Sequence, residues 1–260
     1  MSAKKNKQTK FRKIISYTIT ITCLAVFVYA AHGLIDILLD YYQNRKVINN
    51  VQDIYYQDDD SQASESRGEK GIRSGFDELM KVNKNVVGWI TIEDTQIDYP
   101  ILQTDNNIDF VTQNFYGEES IAGSIFMDYR NDVTMEDNNI IVYGHRMKDG
   151  SMFQHLTKYL EKDFFDSHRT FTFDTLYESY EAEIFAVYPT MIDFNYIQTD
   201  FSSEGEFENL IQEIQNKSTY ETDVDINADD QILTLSTCEY TLDPEDSRLV
   251  VHAKLTKKDA

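Results

Sequence analysis

Residues 232–255 read ILTLSTCEYTLDPEDSRLVVHAKL, two short apolar runs separated by a polar stretch. In each run apolar side chains recur at every second position, which is typical of a β-strand. Cys238 ends the first run and Arg248 begins the second, with only residues 239–247 between them. If the two strands pair antiparallel, the end of one lies beside the start of the next. Cys238 and Arg248 are then expected to be cross-strand neighbours.

That pairing has chemical consequences. A guanidinium near a cysteine sulfur favours the thiolate, which is the reactive form. The same guanidinium can stabilise an oxyanion during acyl transfer. The alternative is that Cys238 is a small buried apolar residue with no chemical role.

A cysteine nucleophile also needs an acid to protonate the leaving amine. His145 is the candidate, because it follows the apolar run NNIIVYG at a strand end and opens the polar loop HRMKDGS. A structural role for His145 remains open at this point. Four other histidines suit the role less well, because they lie at the apolar N-terminal segment, in helical or turn stretches, or about 13 Å along a strand from Arg248: His32, His155, His168 and His252.

Six further apolar runs precede these two, at residues 86–92, 96–101, 124–127, 138–144, 170–174 and 181–188. Eight short strands separated by turns predict a mainly β domain, either a closed barrel or a sandwich. Helices are predicted at 76–83, 151–166 and 203–217, the last from apolar residues recurring at three and four. The 260-residue chain is 41% hydrophobic, enough for a sizeable core.

The N-terminal residues predict a membrane anchor. Residues 1–13 carry six bases and no acid, and residues 14–31 carry no charge. Such an apolar run can span a bilayer, with the basic end in the cytoplasm and the remainder outside. A cleaved signal peptide is the alternative. The run is longer than a usual signal region and no clear cleavage site follows it, so an uncleaved anchor is favoured.

The chain is accordingly divided into a basic cytoplasmic tail (1–13), a transmembrane anchor (14–39), a juxtamembrane helix and linker (40–75) and an extracellular globular domain (76–260). The formal charge of −21 argues against binding to nucleic acid, whose phosphates would be repelled. Cys23 lies within the anchor and is not expected to pair with Cys238.

The motifs resemble those of one family. TLSTC with an arginine ten residues after the cysteine, and YGHRMKDGSMF, are similar to signature segments of the sortases, which are membrane-anchored cysteine transpeptidases of Gram-positive bacteria. VVGWITIEDTQIDYPILQ, GSIFMDYRN and the insert DFNYIQTDFSSEGEFENLIQEIQNK resemble class B sortases in particular. The likeness runs in order from about residue 76 to residue 256. It implies a closed eight-stranded barrel with N-terminal helices and a helix in the insert before the last two strands.

The resemblance also implies roles. Cys238 would be the nucleophile, His145 the general acid and base, and Arg248 the oxyanion-binding or substrate-binding arginine. Matching groove positions would bind the sorting peptide: Asn107, Tyr196, Ile197, Ser236 and Glu239. One departure is Tyr240, where some class B enzymes have an acid.

The implied reaction has two steps. Cys238 attacks the threonine carbonyl of a C-terminal sorting signal of the NPQTN type on a secreted protein, giving a thioester. An amine of peptidoglycan or its lipid-linked precursor then accepts the acyl group. No metal or organic cofactor is expected, and no ligand-spaced cluster for calcium is evident. Three alternatives remain: a hydrolytic cysteine protease, a pilin-polymerising sortase that uses a lysine amine, and a non-catalytic membrane-tethered binding module.

Overall fold

The computed structural model describes residues 2–57, 71–134, 136–238 and 247–258, and of Cys238 it describes the backbone. Within these residues eight strands form a closed barrel in the order β1-β2-β3-β4-β7-β8-β6-β5. The strands are β1 (Val86–Thr91), β2 (Asp98–Leu102), β3 (Ile125–Met127), β4 (Asn139–Tyr143), β5 (Thr170–Thr175), β6 (Ser179–Met191), β7 (Gln231–Cys238) and β8 (Ser247–Lys257). Pairing of β5 with β1 closes the barrel. The mainly β, closed eight-stranded barrel is confirmed, and the sandwich is excluded.

Two strand pairs are parallel, β2 with β3 and β4 with β7, and the other six are antiparallel. Parallel neighbours need a crossover connection. Between β4 and β7 that crossover carries two strands and three of the six described helices. The consequence for the site is that β4 and β7, far apart in sequence, run side by side and end at the same rim of the barrel.

Helices cover the outside of the barrel: α2 (Ser74–Val82), α3 (Asp109–Thr112), a 3₁₀ helix (Phe153–Leu160), α4 (Lys162–Ser167) and α5 (Glu204–Lys217). The predicted helix at 151–166 is two helices, because Glu161 has extended backbone angles, φ −94° and ψ 121°. The predicted helix in the insert is confirmed as α5. It packs on the barrel through four buried residues, Phe207, Leu210, Ile211 and Ile214.

The first helix, α1 (Ser2–Gln57), extends over two compact units, Met1–Gln43 and Asn44–Ala260. Among the described residues one section, Ile15–Gln57, is long and apolar enough to cross a membrane. That length and composition are consistent with the predicted anchor.

The second unit includes the last part of α1. Val47 and Val51 are buried in a cluster with residues of α2, β1 and β2. The ring of Tyr55 stacks on Trp89 with centroids 4.0 Å apart and planes at 3°. The compact unit therefore starts at Asn44, while the sequence places the start of the globular domain at 76. Most of the predicted linker, residues 58–70, lies outside the described residues.

Candidate active site

Strand register brings three candidate residues to one end of the barrel. In the parallel pair of β4 and β7, Tyr143 is opposite Ser236. His145 lies two residues after Tyr143, and Cys238 lies two residues after Ser236. Between them the amide of Gly144 still donates to the carbonyl of Ser236 over 3.2 Å. In the antiparallel pair of β7 and β8, Cys238 is opposite Arg248. Because neighbouring strands lie about 4.8 Å apart, the backbones of all three residues converge.

His145 is half-buried, and its ring is held by one backbone group. The Nε2 atom lies 2.8 Å from the carbonyl oxygen of Val111. A carbonyl only accepts hydrogen bonds, so Nε2 carries a hydrogen and donates it. In the neutral ring, Nδ1 is then the nitrogen that can accept a hydrogen bond.

Gly144 makes room for His145 at the end of β4. A Cβ atom at this position would lie 2.4 Å from Cδ1 of Ile125 and 2.8 Å from Cδ2 of Phe153. The backbone can pass these side chains only because glycine has no Cβ. Beyond that point the amide of Phe153 donates to the carbonyl of His145 over 2.9 Å, which fixes the backbone as it leaves the strand.

Arg248 lies at the start of β8, between β6 and β7. Its backbone pairs with Thr190 on one side and Cys238 on the other. The side chain is half-buried, and Nη1 donates to the carbonyl of Ser247 over 2.9 Å. This contact holds the guanidinium at the rim where β7 ends, which is where the sequence places it.

The predicted substrate-binding residues form two groups. The hydroxyl oxygens of Tyr196 and Ser236 are 2.9 Å apart, and both side chains are buried. Asn107 and Ile197 do not bond to each other, but each bonds to a side chain of the segment that follows β3. The amide of Asn107 donates to Asp128 over 3.0 Å, and the carbonyl of Ile197 accepts from Arg130 over 3.0 Å. Glu239, like Tyr240, lies outside the described residues.

The other histidines of the barrel domain have partners away from this rim. His155 Nδ1 accepts from the amide of Gln96 over 2.8 Å, and His168 Nε2 lies 3.1 Å from Asp94. His252 is fully buried, and burial lowers its pKa to about 3. His145 is thus the histidine that strand register places next to Cys238.

Sequence reasoning missed Asp128, Arg130 and the Val111 carbonyl. The first two stand in the quoted segment GSIFMDYRN, directly after a buried strand, but nothing in the sequence showed which loops they join.

Among the described residues no group of three or more His, Cys, Asp or Glu side chains is arranged to hold a metal ion.

Comparison with known proteins gives a consistent result. A family model described as "Sortase domain" matches residues 90–256. A Sortase B of Listeria monocytogenes is 40% identical over 249 residues, 96% of this chain and 100% of that relative. Crystallised sortase B of Bacillus anthracis in complex with AAEK1 has a TM-score of 0.76 and 50% identity, covering 85% of this chain and 100% of that one. A Staphylococcus aureus sortase B–substrate complex has the same TM-score and coverage at 33% identity.

Proposed function

This chain belongs to the sortase family, in class B, whose members are cysteine transpeptidases, and we propose that it cleaves a C-terminal sorting signal of the NPQTN type and joins the protein to a cell-wall amine. Its substrates are secreted proteins that carry such a signal. The acceptor is an amine of peptidoglycan or of its lipid-linked precursor.

The observation that carries this proposal is the register of three strands at one rim. Arg248 is directly opposite Cys238, and His145 follows the strand that runs parallel to β7. A thiol nucleophile, a proton donor and a fixed cation are the parts that acyl transfer needs. A similar structure, a Staphylococcus aureus sortase B–substrate complex, supports a substrate-binding role for this fold.

The first step forms a thioester. The Cys238 thiolate attacks the threonine carbonyl carbon, and the negative charge on the carbonyl oxygen is stabilised by Arg248. As the carbon–nitrogen bond breaks, Nδ1 of the His145 imidazolium gives its proton to the departing amine. The acyl group is then bonded to sulfur, and His145 is neutral.

The second step transfers the acyl group. The incoming amine attacks the thioester carbon, and His145 takes the proton that the amine loses. The carbon–sulfur bond breaks, which releases the thiolate and leaves a new amide bond. Water in place of the amine would give a free acid, so exclusion of water separates a transpeptidase from a hydrolase.

The N-terminal helix fits this function as a membrane anchor. Six bases before the apolar run favour a cytoplasmic N-terminus, with the barrel outside the cell. A substrate that is itself still held in the membrane meets the enzyme in a thin layer, which raises the effective concentration of each for the other.

The test is an analysis of products. The full chain in detergent micelles is mixed with a peptide containing NPQTN, with and without triglycine or a lysine-containing peptide, and with Cys238→Ala as the control. We expect an amide product with an added amine and none with the variant. Free acid alone would identify a hydrolase, preference for the lysine side chain a pilin polymerase, and no cleavage a binding module.

A further inference from the structure

Three consecutive backbone carbonyls, those of residues 196–198, are held by two side chains. Nδ2 of Asn139 donates to the carbonyls of Tyr196 and Gln198 over 3.1 and 2.9 Å. Nη2 of Arg130 donates to the carbonyl of Ile197, between them. This segment follows β6 and lies outside every strand. Its carbonyls are hydrogen-bonded to these two side chains and not to a neighbouring strand.

Arg130 is itself fixed by a buried carboxylate. Asp128 directly follows β3 and its side chain is 0% exposed. Nε and Nη2 of Arg130 donate to its two oxygens, each over 2.8 Å, and the backbone amide of Arg130 adds a third bond over 3.0 Å. Such a two-pronged pair has a defined geometry as well as a strong attraction. Nη2 therefore reaches the Ile197 carbonyl from one orientation.

The same carboxylate also bonds to Asn107, another of the predicted groove residues. Oδ2 of Asp128 accepts from Nδ2 of Asn107 over 3.0 Å and from the hydroxyl of Tyr143 over 2.8 Å. Oδ1 of Asn107 accepts from the amide of Tyr129, so the orientation of the Asn107 amide is fixed. Burial raises the pKa of Asp128, but the bonds from Arg130, Tyr143 and Asn107 outweigh it and leave that pKa below its usual value. The carboxylate stays charged.

We propose that Asp128 is a positioning residue for the sorting peptide, setting the separation between the Asn107 loop and the 196–198 segment. This rests on the proposed function, because it takes Asn107 and Ile197 as walls of the peptide groove. Asp128 bonds to Asn107 directly and reaches Ile197, 90 residues further along the sequence, through Arg130.

The chain offers a matched control. Asp174 on β5 is also nearly buried, pairs with an arginine (Nη1 of Arg73, 2.7 Å) and accepts from a tyrosine (Tyr55 hydroxyl, 3.0 Å). It joins the N-terminal helices to the barrel and contacts none of the proposed groove residues. Asp174→Asn therefore removes similar chemistry from a different place.

The experiment compares Asp128→Asn, Arg130→Gln and Asp174→Asn in the full chain in detergent. We expect Asp128→Asn to raise KM for the NPQTN-containing peptide about tenfold or more, as loss of a bond to a buried charge does. Alkylation of Cys238 by iodoacetamide needs no peptide groove and stays within about twofold of wild type. Amide exchange in a fragment covering residues 194–201 becomes faster in both Asp128→Asn and Arg130→Gln, and stays unchanged in Asp174→Asn.

The two readouts separate this proposal from the proposed function. If the wild-type chain does not cleave the peptide, the sorting function is wrong, and amide exchange still decides the role of Asp128. Unchanged exchange at 194–201, or an equal rise in KM in Asp174→Asn, would overturn the proposal. Arg130 is 35% exposed, and in Arg130→Gln the Asp128 carboxylate keeps its bonds from Asn107 and Tyr143, so this variant decides the matter if Asp128→Asn does not fold.

Discussion

Arg248 has two candidate roles in the proposed reaction, and one substitution distinguishes them. A strand-start arginine opposite a cysteine can act as a point charge that favours the thiolate, or as a planar fork that binds the oxyanion. Lysine retains the charge and loses the fork. The two roles therefore predict different results for the same substitution.

We expect Arg248→Lys to lower kcat/KM for the sorting peptide by at least about tenfold, since one lost oxyanion donor typically costs 10²–10³ in rate. Arg248→Ala should cost more. The measurement is the peptide-cleavage rate beside the pH dependence of Cys238 alkylation, with Arg169→Lys, whose partner is the exposed Asp223, as control. Wild-type cleavage by Arg248→Lys would reject the oxyanion role.

His252 lies in a chain of hydrogen bonds whose directions are all determined. Asn139 uses its NH₂ group on the carbonyls of the 196–198 segment, so its oxygen accepts from the Thr234 hydroxyl over 2.7 Å. The Thr234 oxygen therefore accepts from Nδ1 of His252 over 2.8 Å. Because burial keeps the ring neutral, Nε2 bears no hydrogen and accepts from the Tyr188 hydroxyl over 2.9 Å. The ring is neutral, with its proton on Nδ1.

This neutral ring makes stability depend on pH. The pKa of His252 is about 3 in the fold and about 6.5 in an unfolded chain, so unfolding takes up a proton between these values. Its contribution to stability is complete above about pH 6.5 and is lost as the pH falls, by up to about 1.4 kcal/mol per pH unit.

We expect the free energy of unfolding of His252→Gln to fall less steeply than that of wild type between pH 7 and about pH 4. The variant starts from a lower value at neutral pH because the bond chain is broken. Denaturant titrations of both proteins across this range give the two slopes. Parallel slopes would mean that His252 is protonated in the fold.

At the scale of elements, the end of α1 belongs to the barrel domain. Val51 is fully buried and Val47 nearly so, and Tyr55 stacks on Trp89. The sequence indicates a helix here, since apolar residues recur along 40–57. It gives no sign of the surface on β1 and β2 that receives the helix, because that surface is formed by residues distant in sequence.

A fragment of residues 44–260 should therefore be more stable than one of residues 74–260. Burial of a valine contributes about 1.5–3 kcal/mol, so we expect a loss of at least about 3 kcal/mol, measured as a shift in the urea midpoint. Within 44–260, Val51→Ala should lower the midpoint, while Asp53→Ala, at an exposed position of the same turn, should leave it unchanged. Equal midpoints for the two fragments would contradict the packing of α1 on the barrel.

What the sequence could predict follows from the range of each interaction. Alternating apolar residues predict all eight strands, and the short connection 239–247 predicts that Cys238 lies opposite Arg248, which the register confirms. The position of His145 beside Cys238 depends on the parallel pairing of β4 and β7, which are about ninety residues apart. The bonds of Asp128 join its own loop to Asn107 and to Tyr143 at the end of β4. These contacts follow from the closed barrel, and no local pattern encodes them.

At the scale of the molecule, an acidic barrel follows a basic and apolar N-terminal helix. The barrel provides the rim at which β4 and β7 end and β8 begins, and under the proposed function the N-terminal helix anchors the chain in a membrane. Under the proposed function, Cys238 is the residue to which the sorted protein becomes covalently attached.

The most direct measurement of that claim is the intact mass of the full chain after brief mixing with an excess of NPQTN-containing peptide and no added amine, followed by fragment mapping. We expect a mass increase equal to the peptide through its threonine, located on Cys238, removed by hydroxylamine and absent in Cys238→Ala. An adduct on another residue, or cleavage of the peptide with no adduct under single-turnover conditions, would contradict the thioester mechanism.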